Sequence, residues 1–414
     1  MILRARTVLP LGRPPFADGA VQLARGRIQA VGRWRDLRAQ AIGAVQDLGE
    51  VILLPGLVNP HAHLDYTAMA GMIPPPRSFT DWIKSITTLK AEWSYAEYAQ
   101  SWLRGAEMLR RHGTTTVGDI EALPELLPDV WSATPLRVRS FLEMTGVRSR
   151  RDPELILREA IARRDSLPEG RSRAFLSPHA PYSTPPVLLR RVAEVSRQHR
   201  WPFSVHVAES AEEFQMFTEA CGPMYDWLGR NEREMSDCGS RTPVERLAAL
   251  QALGPRTIAV HVNYLGPRDI PLLRESGAHV VHCPRSHAYF RHRAFDFAAL
   301  RSAGLNLSLG TDSLATTRTS SQVPPELSLF AEMQTFARAH PAVAPAEILP
   351  LVTVNPAKAL GLEDRVGVLR EGAWADLITI PYAGRLAESP EAVVHHRGPV
   401  RDVWIEGRWT SVTP

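Results

Sequence analysis

The sequence predicts an α/β fold, a (β/α)₈ barrel joined to a small β-sandwich domain that is built from both chain ends. Eight short β-rich runs recur between Val51 and Asp312, and most are separated by segments with helical periodicity. Eight alternations of strand and helix are typical of a closed barrel. We therefore predict a small β domain from residues 1–52 plus 364–414, and a barrel from residues 53–363.

The eight predicted barrel strands each end in polar or Gly/Pro residues, as strands do where they leave a core. In chain order they are VILLPGLVNPHAH, TTTVGDI, LRVRSFLEMTG, RAFLSPHAP, PFSVHVAES, TIAVHVNYL, HVVHCPRS and LNLSLGTDS. Helical periodicity is clear in SYAEYAQSWLRGAEMLRRHG, which stops at Gly113, and in TPPVLLRRVAEVSRQHR. We expect the first run, from Val51, to be one buried strand.

The two flanks contain short strands punctuated by glycine turns. The N-terminal flank includes AVQLARGRIQAVG, and the C-terminal flank includes VGVLREGAWADLITI and VRDVWIEGRWTSV. Neither flank alone has enough strands for a stable sheet. We expect them to pair with each other, so that the barrel is inserted between the halves of one β domain.

The amino-acid composition and net charge limit the kinds of binding partner that we expect. The chain has 414 residues, 44% of them hydrophobic, and a net charge of +4, which permit a large core without a strongly basic surface. We expect the densest basic cluster to be a solvated face and not a nucleic-acid footprint. Its members are Arg137, Arg139, Arg148, Arg150 and Arg151. The predicted partner is a small-molecule substrate, with no nucleic acid.

Cysteine usage and hydropathy bear on the compartment. Cys221, Cys238 and Cys283 are too few and too scattered for a disulfide framework, which favours a reducing compartment. No window approaches the roughly 20 apolar residues that a membrane span needs, and the first residues lack the apolar stretch of a signal peptide. We expect a cytoplasmic protein with no membrane partner, and a homo-oligomer is compatible with the sequence.

Histidines cluster where the predicted strands end. His61 and His63 point to the same side of a strand, because strand side chains alternate between faces. They could be polar residues at the edge of the core, but a single cation would satisfy both unprotonated nitrogens. Further chemistry-bearing residues end strands 4, 5, 6 and 8, namely His179, His206, His261 and Asp312. All lie at the barrel end where active sites are built, and imidazoles with a carboxylate suit zinc or iron.

The motifs PGLVNPHAHLD, HVAES, HVNYL and LGTDS, with the tail NPAKALGLEDRVGVLREGAWADLITI, resemble the amidohydrolase superfamily over essentially the whole chain. The resemblance implies a metal site made by His61, His63, His206 and Asp312. It places His261 and Glu209 over the metal-bound water. Many relatives hold two metals that a carboxylated lysine from strand 4 bridges, but RAFLSPHAP has no lysine. We therefore predict one divalent ion per chain, with zinc favoured over iron.

Glu209 narrows the predicted reaction. Its spacing from His206, together with PHAPYS, resembles the deaminases of aromatic bases and nucleosides. A carboxyl group there can protonate a ring nitrogen, so that the adjacent carbon accepts hydroxide and releases ammonia. Asp312 with His261 would accept the water proton, and His179 would contact the substrate. The competing interpretation of Glu209 is a surface carboxylate at a helix start.

Two segments bear on the substrate. SFTDWIKSI offers Phe79 and Trp82 to stack on a base, although core packing explains them at least as well. HCPRSHAYF would place Arg285 and Ser286 at the barrel mouth, where the arginine could bind a carboxylate or form a surface salt bridge.

These two segments most resemble the aminodeoxyfutalosine deaminases of menaquinone biosynthesis. Relatives that act on S-adenosylhomocysteine or methylthioadenosine have a strand 3 arginine, where this chain has FLEMTG. The alternatives are a deaminase of those nucleosides or of another nucleobase, a triazine chlorohydrolase or a cyclic amidase. A noncatalytic oligomeric scaffold is a remote alternative, because all the expected ligands are present.

Overall fold

Two eight-stranded sheets organise the chain. The computed structural model describes residues 1–40, 43–74, 76–146, 151–319 and 324–411. Its strands are β1 (Ile2–Val8), β2 (Phe16–Ala24), β3 (Arg27–Arg33), β4 (Val45–Asp47), β5 (Val51–Pro55), β6 (Leu57–Ala62), β7 (Thr114–Glu121), β8 (Arg137–Met144), β9 (Arg173–Pro178), β10 (Phe203–Val207), β11 (Thr257–His261), β12 (His279–His282), β13 (Asn306–Leu309), β14 (Leu377–Pro381), β15 (Asp402–Ile405) and β16 (Arg408–Thr410).

Most of the helices connect consecutive strands of the second sheet. They are α1 (Trp34–Leu37), α2 (Phe79–Glu92), α3 (Tyr95–Arg111), α4 (Leu127–Ala133), α5 (Pro153–Ser166), α6 (Pro186–His199), α7 (Ala211–Glu219), α8 (Pro223–Arg230), α9 (Pro243–Ala249), α10 (Asp269–Ser276), α11 (Pro284–Phe290), α12 (Phe297–Ser302), α13 (Leu329–Ala339), α14 (Pro345–Ile348), α15 (Val354–Ala359) and α16 (Ser389–Val394). The structure confirms both helices that the periodicity indicates, α3 and α6. Gly113 follows α3 with a φ of 78°, a conformation that suits glycine at a helix end.

The second sheet is the predicted barrel. Strands β6 to β13 are parallel and pair in chain order. A bridge between Ala62 and Asp312 joins the last strand to the first. Parallel strands closed in this way bring the ends of all eight together at one face, so residues far apart in sequence can share a site there.

The first sheet takes strands from both chain ends, as predicted. β14 pairs antiparallel with β5, and β5 pairs in parallel with β1, which joins the C-terminal strands to the N-terminal ones. The order is β16, β15, β14, β5, β1, β2 and β3, with β4 also on β1. Leu3, Leu53, Leu377 and Trp404 are buried together in its core. The predicted fold class is thus confirmed.

The prediction that the run from Val51 is one strand was wrong. Val51–Pro55 belongs to the terminal sheet, whereas Leu57–Ala62 is the first barrel strand. Gly56 lies between them, and a Cβ there would collide with the side chain of Thr115. Apolar alternation does not show a change of pairing partner, so the sequence hides this junction. The predicted limit after residue 52 falls inside β5, and the domain division stays a proposal.

The predicted solvated arginine face was also wrong for two of its members. Arg137 is 1% exposed and Arg139 is 7% exposed, while Arg151 is exposed and pairs with Glu159. Arg148 and Arg150 lie outside the described residues. Charge alone does not reveal a buried arginine, because its partners are distant in sequence.

Arg137 connects the start of β8 to the terminal sheet. Its Nη2 lies 3.4 Å from a carboxylate oxygen of Asp376 and 3.1 Å from one of Glu406. Its guanidinium carbon lies 3.6 Å from the ring centre of Trp374. Two carboxylates and an aromatic face thus compensate one buried cation.

The three cysteines are unpaired, as expected. Among the described residues, the helices are all too short or too polar to cross a membrane.

Candidate active site

Five side chains converge at the carboxyl ends of the barrel strands. They come from the end of β6, from β10, from the end of β11 and from the residues after β13, and they are His61, His63, His206, His261 and Asp312. Their ligand atoms form two groups that share His61, and within each group all atoms lie within 4.8 Å of one another. The structure therefore brings together every residue that the sequence proposed around the metal.

The chemistry of this cluster fits a divalent cation. Neither ring nitrogen of His61 has a hydrogen-bond partner among the described residues, and Nδ1 of His63 has none either. Burial, together with the neighbouring His61, lowers the pKa of His63 to about 3, so its imidazole is neutral at pH 7. Buried neutral imidazoles with free lone pairs can serve as metal ligands, and leaving them unsatisfied would be costly.

Asp312 supplies the negative charge of the cluster. Its Oδ1 lies 3.6 Å from Nε2 of both His61 and His63. Burial by itself raises the pKa of Asp312, but the close contact with the imidazole of His61, together with the rings of His261 and His63, holds that pKa well below its usual range. Burial also lowers the pKa of His261 to about 3 and that of His206 well below its usual range. The cluster thus combines the neutral imidazoles of His63, His206 and His261 with one carboxylate.

Backbone contacts position these side chains. The carbonyl of His61 accepts hydrogen bonds from the amides of Thr311 and Asp312, both at 3.1 Å. The carbonyl of His179 lies 2.9 Å from Nδ1 of His206, which directs Nε2 of that ring towards the cluster. His261 and Asp312 have φ angles of 78° and 53°. Such left-handed non-glycine residues often occur at functional sites.

Glu209 lies beside the cluster. Its Oε1 is 3.5 Å from Nε2 of His261, and the residue is 6% exposed. Burial and the charge of Asp312 raise the pKa of Glu209 well above its ordinary value, which favours the protonated form. The side chain of Asn263 donates to the carbonyl of Glu209 at 2.9 Å. Glu209 is therefore a buried carboxyl group that can donate a proton, and not a surface carboxylate.

A cavity of about 320 Å³ opens above the cluster. Glu209, His179 and Trp82 contribute to its wall. The ring of His179 lies with its centre 4.8 Å from that of His206. Phe79 lies outside the wall of this cavity and packs on Trp82, with ring centres 6.0 Å apart. Substrate contacts are thus proposed for His179 and Trp82, and Phe79 supports the wall from behind.

Arg285 and Ser286 are placed differently from the sequence expectation. Neither lines the cavity above the cluster. The backbone amide of Arg285 donates to Glu332 at 2.9 Å, its Nε donates to the same carboxylate, and its Nη1 donates to the carbonyl of Glu326 at 2.9 Å. Ser286 is 2% exposed. The buried carboxylate of Glu332 needs a counter-charge, and Arg285 supplies it, so its side chain is not directed at a substrate.

Sequence reasoning missed two charged residues in the cavity wall, Lys90 and Glu143. Glu143 precedes the last residue of β8, so the rule that singled out the histidines at strand ends could have found it. Lys90 follows Trp82 and Ile86 at intervals of four along α2, the spacing of one helix face. That face lines the cavity.

The known proteins that resemble this chain support the interpretation of the site as a metal-dependent active site. The profile of the amidohydrolase family matches residues 52–410. A 5-methylthioadenosine/S-adenosylhomocysteine deaminase of Syntrophobacter fumaroxidans is 30% identical, over 94% of this chain and 90% of the relative. An aminodeoxyfutalosine deaminase of Deinococcus radiodurans is 28% identical, over 73% of each. The crystal structure of an adenosine deaminase from Xanthomonas campestris with bound zinc is 25% identical, with a TM-score of 0.83 over 99% of this chain and 92% of the other.

The fold and the cluster define a barrel enzyme that uses a metal ion to hydrolyse C–N bonds. The chain belongs to the amidohydrolase family.

Proposed function

We propose that the chain is a hydrolytic deaminase that replaces the amino group of an adenine-type nucleoside by oxygen and releases ammonia. The observation that carries this proposal is Glu209, a buried carboxyl group with a raised pKa, beside His261 in a cavity over the His/Asp cluster. Deamination of an aromatic ring needs such a proton donor, because the ring must be protonated before water adds. The names of both curated relatives support the same reaction.

We assign the metal to His61, His63, His206 and Asp312, with one ion per chain. When bound, a divalent ion would lower the pKa of water towards about 7. Zinc is the first choice, since it is present in the Xanthomonas campestris structure. β9 has no lysine with which to bridge a second ion.

The remaining residues handle protons. The carboxylate of Asp312 accepts a proton from the attacking water, and His261 orients that water. Glu209 donates its proton to the ring nitrogen while the water oxygen bonds to the adjacent carbon. Asp312 then passes its proton to the amino group, the C–N bond breaks, and the added hydroxyl returns its proton to Glu209, so the products are ammonia and the oxo-substituted ring. His179 and Trp82 hold the ring in the cavity.

For the substrate, we propose 6-aminodeoxyfutalosine, as in menaquinone biosynthesis, with S-adenosylhomocysteine and methylthioadenosine as the second candidates. The relatives divide between these two activities. The charge carried by Arg285 does not favour the first candidate, because Glu332 already binds that side chain.

The test is ammonia release by the zinc-loaded protein from 6-aminodeoxyfutalosine, S-adenosylhomocysteine, methylthioadenosine, adenosine, guanine, cytosine and a chlorotriazine. We expect turnover of adenine nucleosides at least about 100-fold above that of the other compounds, because a site that hydrogen-bonds its substrate rejects analogues that lack those groups. Chloride release from the triazine without deamination would refute the proposal.

A further inference from the structure

The cavity wall carries an ion pair that the proposed chemistry does not use. Nζ of Lys90, on α2, lies 3.8 Å from Oε2 of Glu143, at the end of β8. Their side chains retain 26% and 11% exposure, and both line the cavity. The carboxylate of Glu143 also faces Nε2 of His179 at 3.8 Å. The pair therefore stands beside a residue already assigned to substrate contact.

Neither charged group is saturated by hydrogen bonds. The separation of 3.8 Å exceeds the usual limit of about 3.2 Å for an N–H···O hydrogen bond. Among the described residues, neither Nζ of Lys90 nor the carboxylate of Glu143 forms a direct hydrogen bond. Nζ of Lys90 instead lies over the ring of Tyr66, 4.7 Å from the ring centre. Both groups thus keep hydrogen-bonding capacity that faces the cavity.

The gap between Nζ of Lys90 and Oε2 of Glu143 suits one kind of ligand group. A single oxygen about 2.8 Å from both Nζ and Oε2 would form two good hydrogen bonds across the gap. That oxygen must accept from an ammonium group and donate to a carboxylate, and a hydroxyl group does both. A carboxylate on the ligand would be repelled by Glu143, and an ammonium group would be repelled by Lys90.

We propose that Lys90 and Glu143 form a specificity pair that binds a hydroxyl group on the sugar of the substrate. This inference rests on the proposed nucleoside deaminase function and deepens it, because it identifies the substrate class as nucleosides with a hydroxylated, uncharged sugar. Removal of the hydroxyls should then lower kcat/KM, since a charged site rejects a ligand that lacks its hydrogen-bonding partner.

The experiment compares kcat/KM for adenosine and 2′,3′-dideoxyadenosine, measured by ammonia release from the zinc-loaded protein. For the unmodified chain we expect adenosine to be favoured by about 10- to 100-fold, the range for a hydrogen bond to a charged group. Glu143→Gln and Lys90→Met should each reduce this ratio by about 10-fold or more while the rate with dideoxyadenosine changes little. Lys84→Met is the matched control, since Lys84 is on the same helix but exposed and paired with Asp81.

The possible outcomes distinguish a failure of the Lys90–Glu143 pair from a failure of the proposed deaminase function. An unchanged ratio in both variants, or equal losses on both nucleosides, would overturn the specificity pair and leave the deaminase proposal standing. Absence of ammonia from every nucleoside would refute the proposed function instead. Quenching of tryptophan fluorescence, through Trp82 in the wall, would then measure binding of the two nucleosides. Tighter binding of adenosine that is lost in Glu143→Gln would support the pair, and equal or absent binding would refute it.

Discussion

Two of the buried polar clusters lie at opposite ends of the barrel strands, and they differ in how their charges are compensated. At the start of β8, the positive charge of Arg137 faces Asp376 and Glu406 and lies over Trp374. At the carboxyl ends of the strands, four imidazoles surround one carboxylate, and His61 has no hydrogen-bond partner among the described residues for either ring nitrogen.

The difference shows how a structural cluster can be told from a functional one. The protein itself supplies the counter-charges of Arg137, so this cluster holds two parts of the fold together. The histidine cluster has more potential ligand atoms than hydrogen-bond partners for them within the protein. Burial also lowers the pKa of several of its rings. Its electrostatics are complete only with a cation, which is what a metal site requires.

The largest expected effect comes from removing a proposed metal ligand. His206→Ala should lose the ion and lower kcat/KM by roughly 10³-fold, since the metal contributes several kcal/mol to transition-state stabilisation. Elemental analysis should find about one divalent ion in the unmodified chain and much less in the variant. His395→Ala, at an exposed position, is the control and should keep both metal and activity. Full metal occupancy in His206→Ala would remove this residue from the site.

The structural cluster should respond in stability and not in catalysis. Arg137→Met leaves Asp376 buried without its cation, so the free energy of unfolding should fall by about 3 to 5 kcal/mol. Urea unfolding measures this loss, and kcat per folded molecule should stay close to that of the unmodified chain. A large fall in kcat without a fall in stability would show that the two clusters are coupled.

A substitution of Glu209 distinguishes the role of a metal ligand from that of a proton donor. Glu209→Gln keeps the shape of the side chain but removes its proton transfer, so kcat should fall by at least about 10²-fold. The metal content should not change. If the variant lost its metal, Glu209 would be a ligand and belong to the cluster, and unchanged turnover would exclude it from the mechanism.

The smallest effect is expected at a surface pair that matches Arg137 in chemistry but not in burial. Arg301 pairs with Glu347, and their side chains are 51% and 41% exposed. Arg301→Met should change the free energy of unfolding by less than about 1 kcal/mol, because solvent screens exposed ion pairs. If urea unfolding showed a loss as large as that of Arg137→Met, burial would not explain the difference between the two pairs.

Much of the histidine cluster could be predicted from the sequence. The proposed ligands His61, His206 and Asp312 lie at the ends of apolar runs that are recognisable as strands, and parallel strands in a closed barrel present their carboxyl ends at one face. Their positions at strand ends and their residue types were therefore enough to predict that these side chains lie close together. Glu209 was predicted differently, from the resemblance of HVAES and PHAPYS to the deaminases of aromatic bases and nucleosides.

Pairings between distant side chains could not be predicted in this way. Arg285 was expected at the barrel mouth, but it is bound by Glu332, 47 residues further along the chain. Lys90 and Glu143 come from a helix and a strand that the sequence does not connect, and Arg137 finds its carboxylates in the last 40 or so residues of the chain.

The sequence by itself determined the barrel, the terminal sheet and the residues of the histidine cluster, because periodicity and strand ends are local properties that the chain displays directly. The tertiary structure decided which charges are compensated, where the run from Val51 passes between two sheets, and which side chains reach the cavity. The physical reason is that electrostatic compensation depends on distances of a few ångströms between groups that are remote in sequence. Local pattern does not contain those distances.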